Sequence, residues 1–62
     1  MHNFQVHTVN ANGVEAVFGC DKYADARMRF LRAQNDPNVF ECTMIESVDR
    51  ITSRQIGYFS KV

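Results

Sequence analysis

The 62-residue sequence predicts an α+β fold of ββαββ order: a four-stranded antiparallel sheet, spatial order 2-1-3-4, with one helix packed on one face. Three features predict it. Asp21 to Pro37, DKYADARMRFLRAQNDP, holds the only long helical pattern. Apolar alternation marks strands on both sides of that segment. Asn10-Ala11-Asn12-Gly13 signals a tight hairpin between the first two strands.

Phe4 to Thr8 and Val14 to Cys20 alternate apolar and other residues and form the arms of that hairpin. Two registers compete. A two-residue Asn12-Gly13 turn sets Phe4 and Val6 on the face opposite Ala16, Phe18 and Cys20. A three-residue loop of Ala11, Asn12 and Gly13 closes on Asn10 opposite Val14 and puts Gly13 in the left-handed bulge position. It pairs Phe4 with Cys20, Val6 with Phe18 and Thr8 with Ala16. One residue of slip carries every side chain to the other face, so the hydrophobic pattern selects the three-residue loop.

The helix is expected over Lys22 to Gln34. Asp21 is the expected N-cap, its carboxylate accepting from the free N–H groups of the first turn. Ala, Arg, Met and Leu fill the interior at little side-chain entropy. Asn35 is expected to take the left-handed conformation at the C-terminus, and Pro37 forbids continuation. On a helical projection Ala24, Met28 and Leu31 lie together beside Tyr23, while Ala26, Phe30 and Ala33 form a second apolar strip on its other side. Arg27 and Gln34 fall between the strips; Asp25, Arg29 and Arg32 occupy the back. Either both strips form one wide core face, with the Arg27 stem along it and its head in water, or one strip meets the sheet and the other a partner. The wide core face is preferred, because long amphipathic side chains commonly cover apolar surface.

After the turn Asn35-Asp36-Pro37-Asn38, VFECTMIESV reads as a strand from Val39 to about Val48. Phe40, Cys42 and Met44 point to one side; Val39, Glu41, Thr43 and Ile45 point to the other. Arg54 to Ser60 (RQIGYFS) reads as a fourth strand paired to the third. A short helix from near Ser47 to Gly57 is the competing assignment. The helix returns the chain to its starting end, so the third strand fits beside the first through a right-handed crossover, and the fourth extends the edge.

Residues 1–62 make a single domain. A chain this short buries only about 60% of its unfolded surface, so association with another molecule is attractive. Two cysteines exclude a disulfide framework. Formal net charge is zero, which argues against mass electrostatic attraction to phosphate and against an acidic mimic of nucleic acid. The N-terminal MHNFQVHTVN has no basic region and no long apolar run, so no signal peptide is expected; nor does any window approach a membrane span. A cytoplasmic location with reduced thiols follows as the expectation.

Candidate chemistry is sparse. His2, His7, Cys20 and Cys42 are all the soft metal ligands, and none sits in a short ligand-spaced pair, so no metal site is expected. Cys20 and Cys42 fall on the predicted core side and His7 points away, which argues against a reactive Cys–His pair. Glu15, Glu41, Glu46 and Asp49 are scattered over strands and turns. Gly13, Gly19 and Gly57 are isolated, so no glycine-rich loop cradles a phosphate. A chain of this size also has difficulty building a concave pocket. The expectation is no enzyme and no cofactor.

Two binding classes remain. The sheet face left open by a single helix is expected to carry Gln5, His7, Val9, Glu15, Val17, Val39, Glu41, Thr43 and Ile45. Val9, Val17, Val39 and Ile45 then mark either half-exposed strand residues or a face for another protein or a second copy. The runner-up is nucleic acid: Lys22, Arg27, Arg29 and Arg32 make the helix basic, and Arg50, Arg54 and Lys61 lie near Tyr58 and Phe59, a mixture able to stack bases.

The layout, a hairpin followed by one helix opened by the YADAR segment (Tyr23 to Arg27) and closing strands, resembles small accessory proteins of bacteriophages. These include anti-defence inhibitors such as anti-CRISPR proteins, and host-takeover factors. The resemblance rests on layout over the whole length and carries no functional residues across. It implies a stoichiometric binder of a host protein complex. The expected function is therefore a non-enzymatic protein-interaction module, monomer or homodimer, with contacts on Arg27, Arg29, Arg32, Val9, Val17, Val39 and Ile45. The nucleic-acid alternative uses Lys22, Arg29, Arg32, Arg50, Arg54, Tyr58 and Lys61.

Overall fold

The hairpin forms as the hydrophobic pattern requires. In the computed structural model, which describes residues 3–61, β1 (Phe4–Asn10) and β2 (Glu15–Cys20) pair antiparallel with Phe4 opposite Cys20, Val6 opposite Phe18 and Thr8 opposite Ala16. The Asn10 N–H donates to the Val14 carbonyl at 3.0 Å, and the Gly13 N–H donates to the Asn10 carbonyl at 3.0 Å. Asn10 Oδ1 also accepts the N–H groups of Asn12 and Val14, at 2.9 and 3.0 Å, so one side chain satisfies the loop from inside. Gly13 has φ of 80°, and a Cβ there meets nothing within 4 Å. The penalty for replacing it is thus conformational and not steric. Gly13→Ala is expected to lower unfolding free energy by about 1–2 kcal/mol, read from denaturant melts.

The helix α1 covers Tyr23–Asn35. Both of its caps differ from expectation. Lys22 is the N-cap, in an extended conformation with no side-chain hydrogen bond, and Asp21 stands one residue too early to serve. Tyr23, the first helical residue, packs its ring edge-on against Phe4 at 5.9 Å, which ties this point of the chain to β1. At the other end Gly13 is the only described residue with positive φ, so Asn35 is not left-handed. Asn35 instead donates from Nδ2 to the Leu31 carbonyl at 3.2 Å, and the extended Asp36, held out of the helical region by Pro37, closes the helix onto the Ala33 carbonyl.

The two apolar strips of α1 part company. Ala26, Phe30 and Ala33 are buried against the sheet, whereas Tyr23, Met28 and Leu31 are 48%, 54% and 42% exposed. The single wide core face is therefore overturned. Small Ala26 and Ala33 let the helix settle closely, and Phe30 enters the sheet as a wedge over Gly57. A Cβ on Gly57 would stand 3.3 Å from Phe30 Cζ and 3.4 Å from Met44 Cβ, so glycine makes room for the ring. Phe59 meets it edge-on at 5.4 Å.

β3 (Val39–Ser47) and β4 (Ser53–Ser60) complete the sheet in the order β2-β1-β3-β4, all antiparallel. The segment after Ser47 is a hairpin, and the competing short helix does not form. Asp49 Oδ1 accepts the N–H groups of Ile51 and Thr52, at 2.9 and 2.7 Å, and these bonds hold its carboxyl below the usual carboxylate range. Two bulges interrupt the ladders. Val9 pairs with Glu41 but Asn10 with Val39, so Phe40 is the extra residue; Met44 pairs with Gly57 but Ile45 with Gln55, so Ile56 is. The first bulge overturns the expected placement of Val39. It packs with the core on the helix side, away from the open face. The core itself is Val6, Cys20, Ala26, Phe30, Ala33, Cys42 and Met44, with Phe4, Val39, Ile56 and Phe59 around it.

Candidate interaction surface

Both cysteines lie in this core as free thiols. Burial pushes the Cys42 thiol up to about 11, so it stays protonated at neutral pH and is neither nucleophile nor ligand there. A thiol-reactive dye at pH 8 is expected to modify Cys42 no faster than the protein unfolds; rapid labelling of folded protein would contradict its burial. Among the described residues no three of His, Cys, Asp and Glu gather as a metal-ligand cluster. His2 lies outside the described residues. His7 points to the open face, with Nε2 2.9 Å from Gln5 Oε1.

The open face is mixed. Register places Val17, His7, Thr43 and Tyr58 in one row across the four strands, Glu15, Val9, Glu41 and Ser60 in the next, and Gly19, Gln5, Ile45 and Gln55 in the third. Val9 thus stands between two glutamates and Ile45 between two glutamines. With Val39 on the other side, Val9, Val17 and Ile45 do not form a continuous apolar patch. Val17 is the most open of the three remaining, at 56% exposure, because it stands on an edge strand.

The cations expected to serve nucleic acid are also dispersed. Arg54 is paired with Glu46, its Nε and Nη2 each 2.7 Å from Oε1. Tyr58 stands on the open face and donates to Glu41 Oε1 at 3.4 Å. Lys61, at the opposite end of β4 from Arg54, donates from Nζ to the Asp36 carbonyl and lies 5.7 Å from the Phe59 ring. Arg50 sits in the β3–β4 turn. No continuous basic track joins these residues to Lys22, Arg29 and Arg32.

What the fold does assemble is a groove between α1 and β2. The helix packs mainly on β3 and β1 and less on β2. The helix side of β2 is closed at Cys20 but open at Phe18, which is 37% exposed where a core position would be closed. Arg29 reaches over it, with the guanidinium carbon 4.5 Å from the ring centroid. Arg29 and Arg32 stand between two adjoining depressions. One, of about 430 Å³, is lined by Gly19, Cys20, Asp21, Lys22, Asp25 and Met28; the other, of about 290 Å³, has a floor of Val6, Thr8, Phe18, Ala33 and Val39 and ends at Asp36.

The groove is lined by Lys22, Arg29 and Arg32 and by Asp21, Asp25 and Asp36, so its formal charges balance. Among the described residues the ion pair is Arg54 with Glu46, so neither Arg29 nor Arg32 has a carboxylate at salt-bridge distance. Lys22 adds a cation at the helix N-terminus, where the peptide dipoles disfavour it. Residues that break a local rule without a compensating contact mark places where function outweighs stability. Arg29, Arg32 and Val17 were legible as candidates in the sequence. Phe18 was not, because alternation assigns it to a closed core; only the offset of the helix leaves it open.

Among the described residues no helix is long and apolar enough to cross a membrane. No family model, curated protein or solved structure matches this chain.

Proposed function

We propose that this chain is a small non-enzymatic protein-interaction module that acts by occupying a site on a larger protein complex, as phage-type inhibitors of host machinery do. One observation supports it above the others. Arg29 and Arg32, without carboxylate partners, rim an apolar-floored groove that the protein's own helix leaves uncovered. Guanidinium groups beside an exposed aromatic ring are the composition of an interface centre, where Arg and aromatic residues concentrate binding energy. Arg27 lies on the far side of α1 from this groove and contributes no contact to it in this reading. The groove serves a protein partner better than nucleic acid, because its floor is apolar and Arg54 and Lys61 are engaged elsewhere.

The test is affinity capture from a bacterial lysate by the tagged chain, with bound mass quantified. The expected result is a stoichiometric host complex retained by the wild-type chain and released by charge reversal at Arg29 and Arg32. Retention of nucleic acid alone, or a complex held equally by the reversed variant, would refute the proposal.

A further inference from the structure

We propose that the outer edge of β2 receives an extended acidic segment of another protein as a fifth strand, its carboxylates meeting Arg29 and Arg32. This deepens the interaction reading above and rests on it. The sheet has two edges, β2 and β4. The β4 edge is broken by the Ile56 bulge, carries Arg54 and is followed by Lys61, all devices that blunt strand pairing. β2 has none of them: Glu15 to Cys20 holds no proline, lysine or arginine and pairs with β1 residue for residue.

The backbone direction follows from the ladder. Asn3 accepts the Ser47 N–H, so the odd-numbered residues of β1 bond to β3 and the even-numbered ones to β2. Opposite those even residues, Ala16, Phe18 and Cys20 use their N–H and C=O groups on β1. The polar backbone groups of Glu15, Val17 and Gly19 therefore point outward and are available to an extended chain of about the length of β2 itself, which has six residues. Alternate side chains of an added strand fall on opposite faces. On the helix side they stand beside Ala16 and Phe18, beneath Arg29 and Arg32; on the open side they stand beside Val17. The segment recognised alternates acidic, aliphatic, acidic. Asp21 and Asp25 line the first depression with both arginines and Asp36 lines the second, yet neither arginine has a described carboxylate at salt-bridge distance.

A second copy fits poorly. Two β2 strands paired about a two-fold axis bring Ala16, Phe18 and Cys20 of each copy onto the helix side, which offers the arginines no carboxylate and sets the two arginine pairs against each other. The one acid of β2, Glu15, stands on the open face with Val17.

The probe is a capped synthetic peptide, Ser-Val-Glu-Val-Glu-Val-Ser, titrated into the isotope-labelled 62-residue chain at low salt. Amide exchange at Val17 and Gly19 is expected to slow about tenfold at saturation. The same peptide with lysine for glutamate, or with alternate backbone nitrogens methylated, is expected to give no protection. Val17→Pro removes no β1 ladder bond and is expected to abolish the effect with the fold intact; should that variant fail to fold, the methylated peptide decides alone. Absence of protection at millimolar glutamate peptide overturns the proposal. So does equal protection by the lysine peptide, or protection that grows with protein concentration without peptide, which would mark a second copy. The lysate capture separates this inference from its premise. A host complex held equally by wild type and Val17→Pro removes the edge and keeps the interaction module; a protected edge with no captured complex does the reverse.

Discussion

Phe30→Ala is expected to remove a large part of the protein's stability, about a third of it at least. The ring is 7% exposed, seats over Gly57 and meets Phe59 edge-on, so its loss opens a cavity at the one junction where helix and sheet interlock. Phenylalanine-to-alanine changes in cores cost about 3–5 kcal/mol. A domain of this length has roughly 3–9 kcal/mol in total, at 0.05–0.15 kcal/mol per residue. The loss is thus a large part of the total and equals it at the low end of that range. Neighbouring side chains cannot collapse far into the space, because Ala26 and Ala33 on the same strip are already in contact with the sheet and have nothing longer to offer. Circular dichroism melts are the measurement. Phe30→Leu, which keeps most of the volume, is expected to lose less than about 1.5 kcal/mol. A Phe30→Ala melt within a few degrees of wild type would show that the helix is held by something other than this wedge.

The second large effect concerns binding and leaves the fold alone. Joint replacement of Arg29 and Arg32 by glutamate is expected to weaken partner binding by more than about 100-fold, since interface hot spots of arginine are worth about 2 kcal/mol or more apiece. Neither side chain forms a described ion pair, so the native state loses only the Arg29 contact with Phe18, about 0.5–1 kcal/mol at an exposed site. Thermal stability should therefore change little while binding collapses. The residual wild-type affinity should fall with salt, because exposed charges are screened over about 10 Å at 0.1 M. Val17→Asp is expected to weaken binding as well, by setting a carboxylate against the aliphatic side chains of the added strand. The comparison that discriminates is Leu31→Asp, on the outward strip of α1 and outside the lining of the groove. Binding lost there and kept in the arginine variant would move the interface to the back of the helix.

Those two effects differ in kind because the two sides of α1 differ. The buried side is a narrow strip whose small residues permit close approach. The side toward β2 is open because the helix sits off-centre on a four-stranded sheet. Ile51, 94% exposed on a well-bonded turn, and the outward strip of α1 show that apolar exposure alone does not identify an interface here. The groove is distinguished by two arginines without a salt-bridged carboxylate beside an unguarded strand edge.

Much of this architecture is written locally. Alternation along Phe4 to Thr8 and Val14 to Cys20, with Gly13 able to take positive φ, determines the first hairpin and its register, because a slip of one residue would turn the apolar side outward. The 3.6-residue period of the Tyr23 segment and the proline at 37 determine one helix, and chain direction then leaves 2-1-3-4 as the simple order. Tertiary structure alone decided the rest. Which of two apolar strips meets the sheet depends on whether Phe30 finds room, and that room is made by Gly57 on a distant strand. Val39 changes face because two residues of β3 oppose one of β1, an arrangement of the ladder that counting odd and even positions cannot register. Periodicity reports how a segment divides its own surface; it carries no information about which neighbour arrives, how close it comes, or which edge it leaves bare.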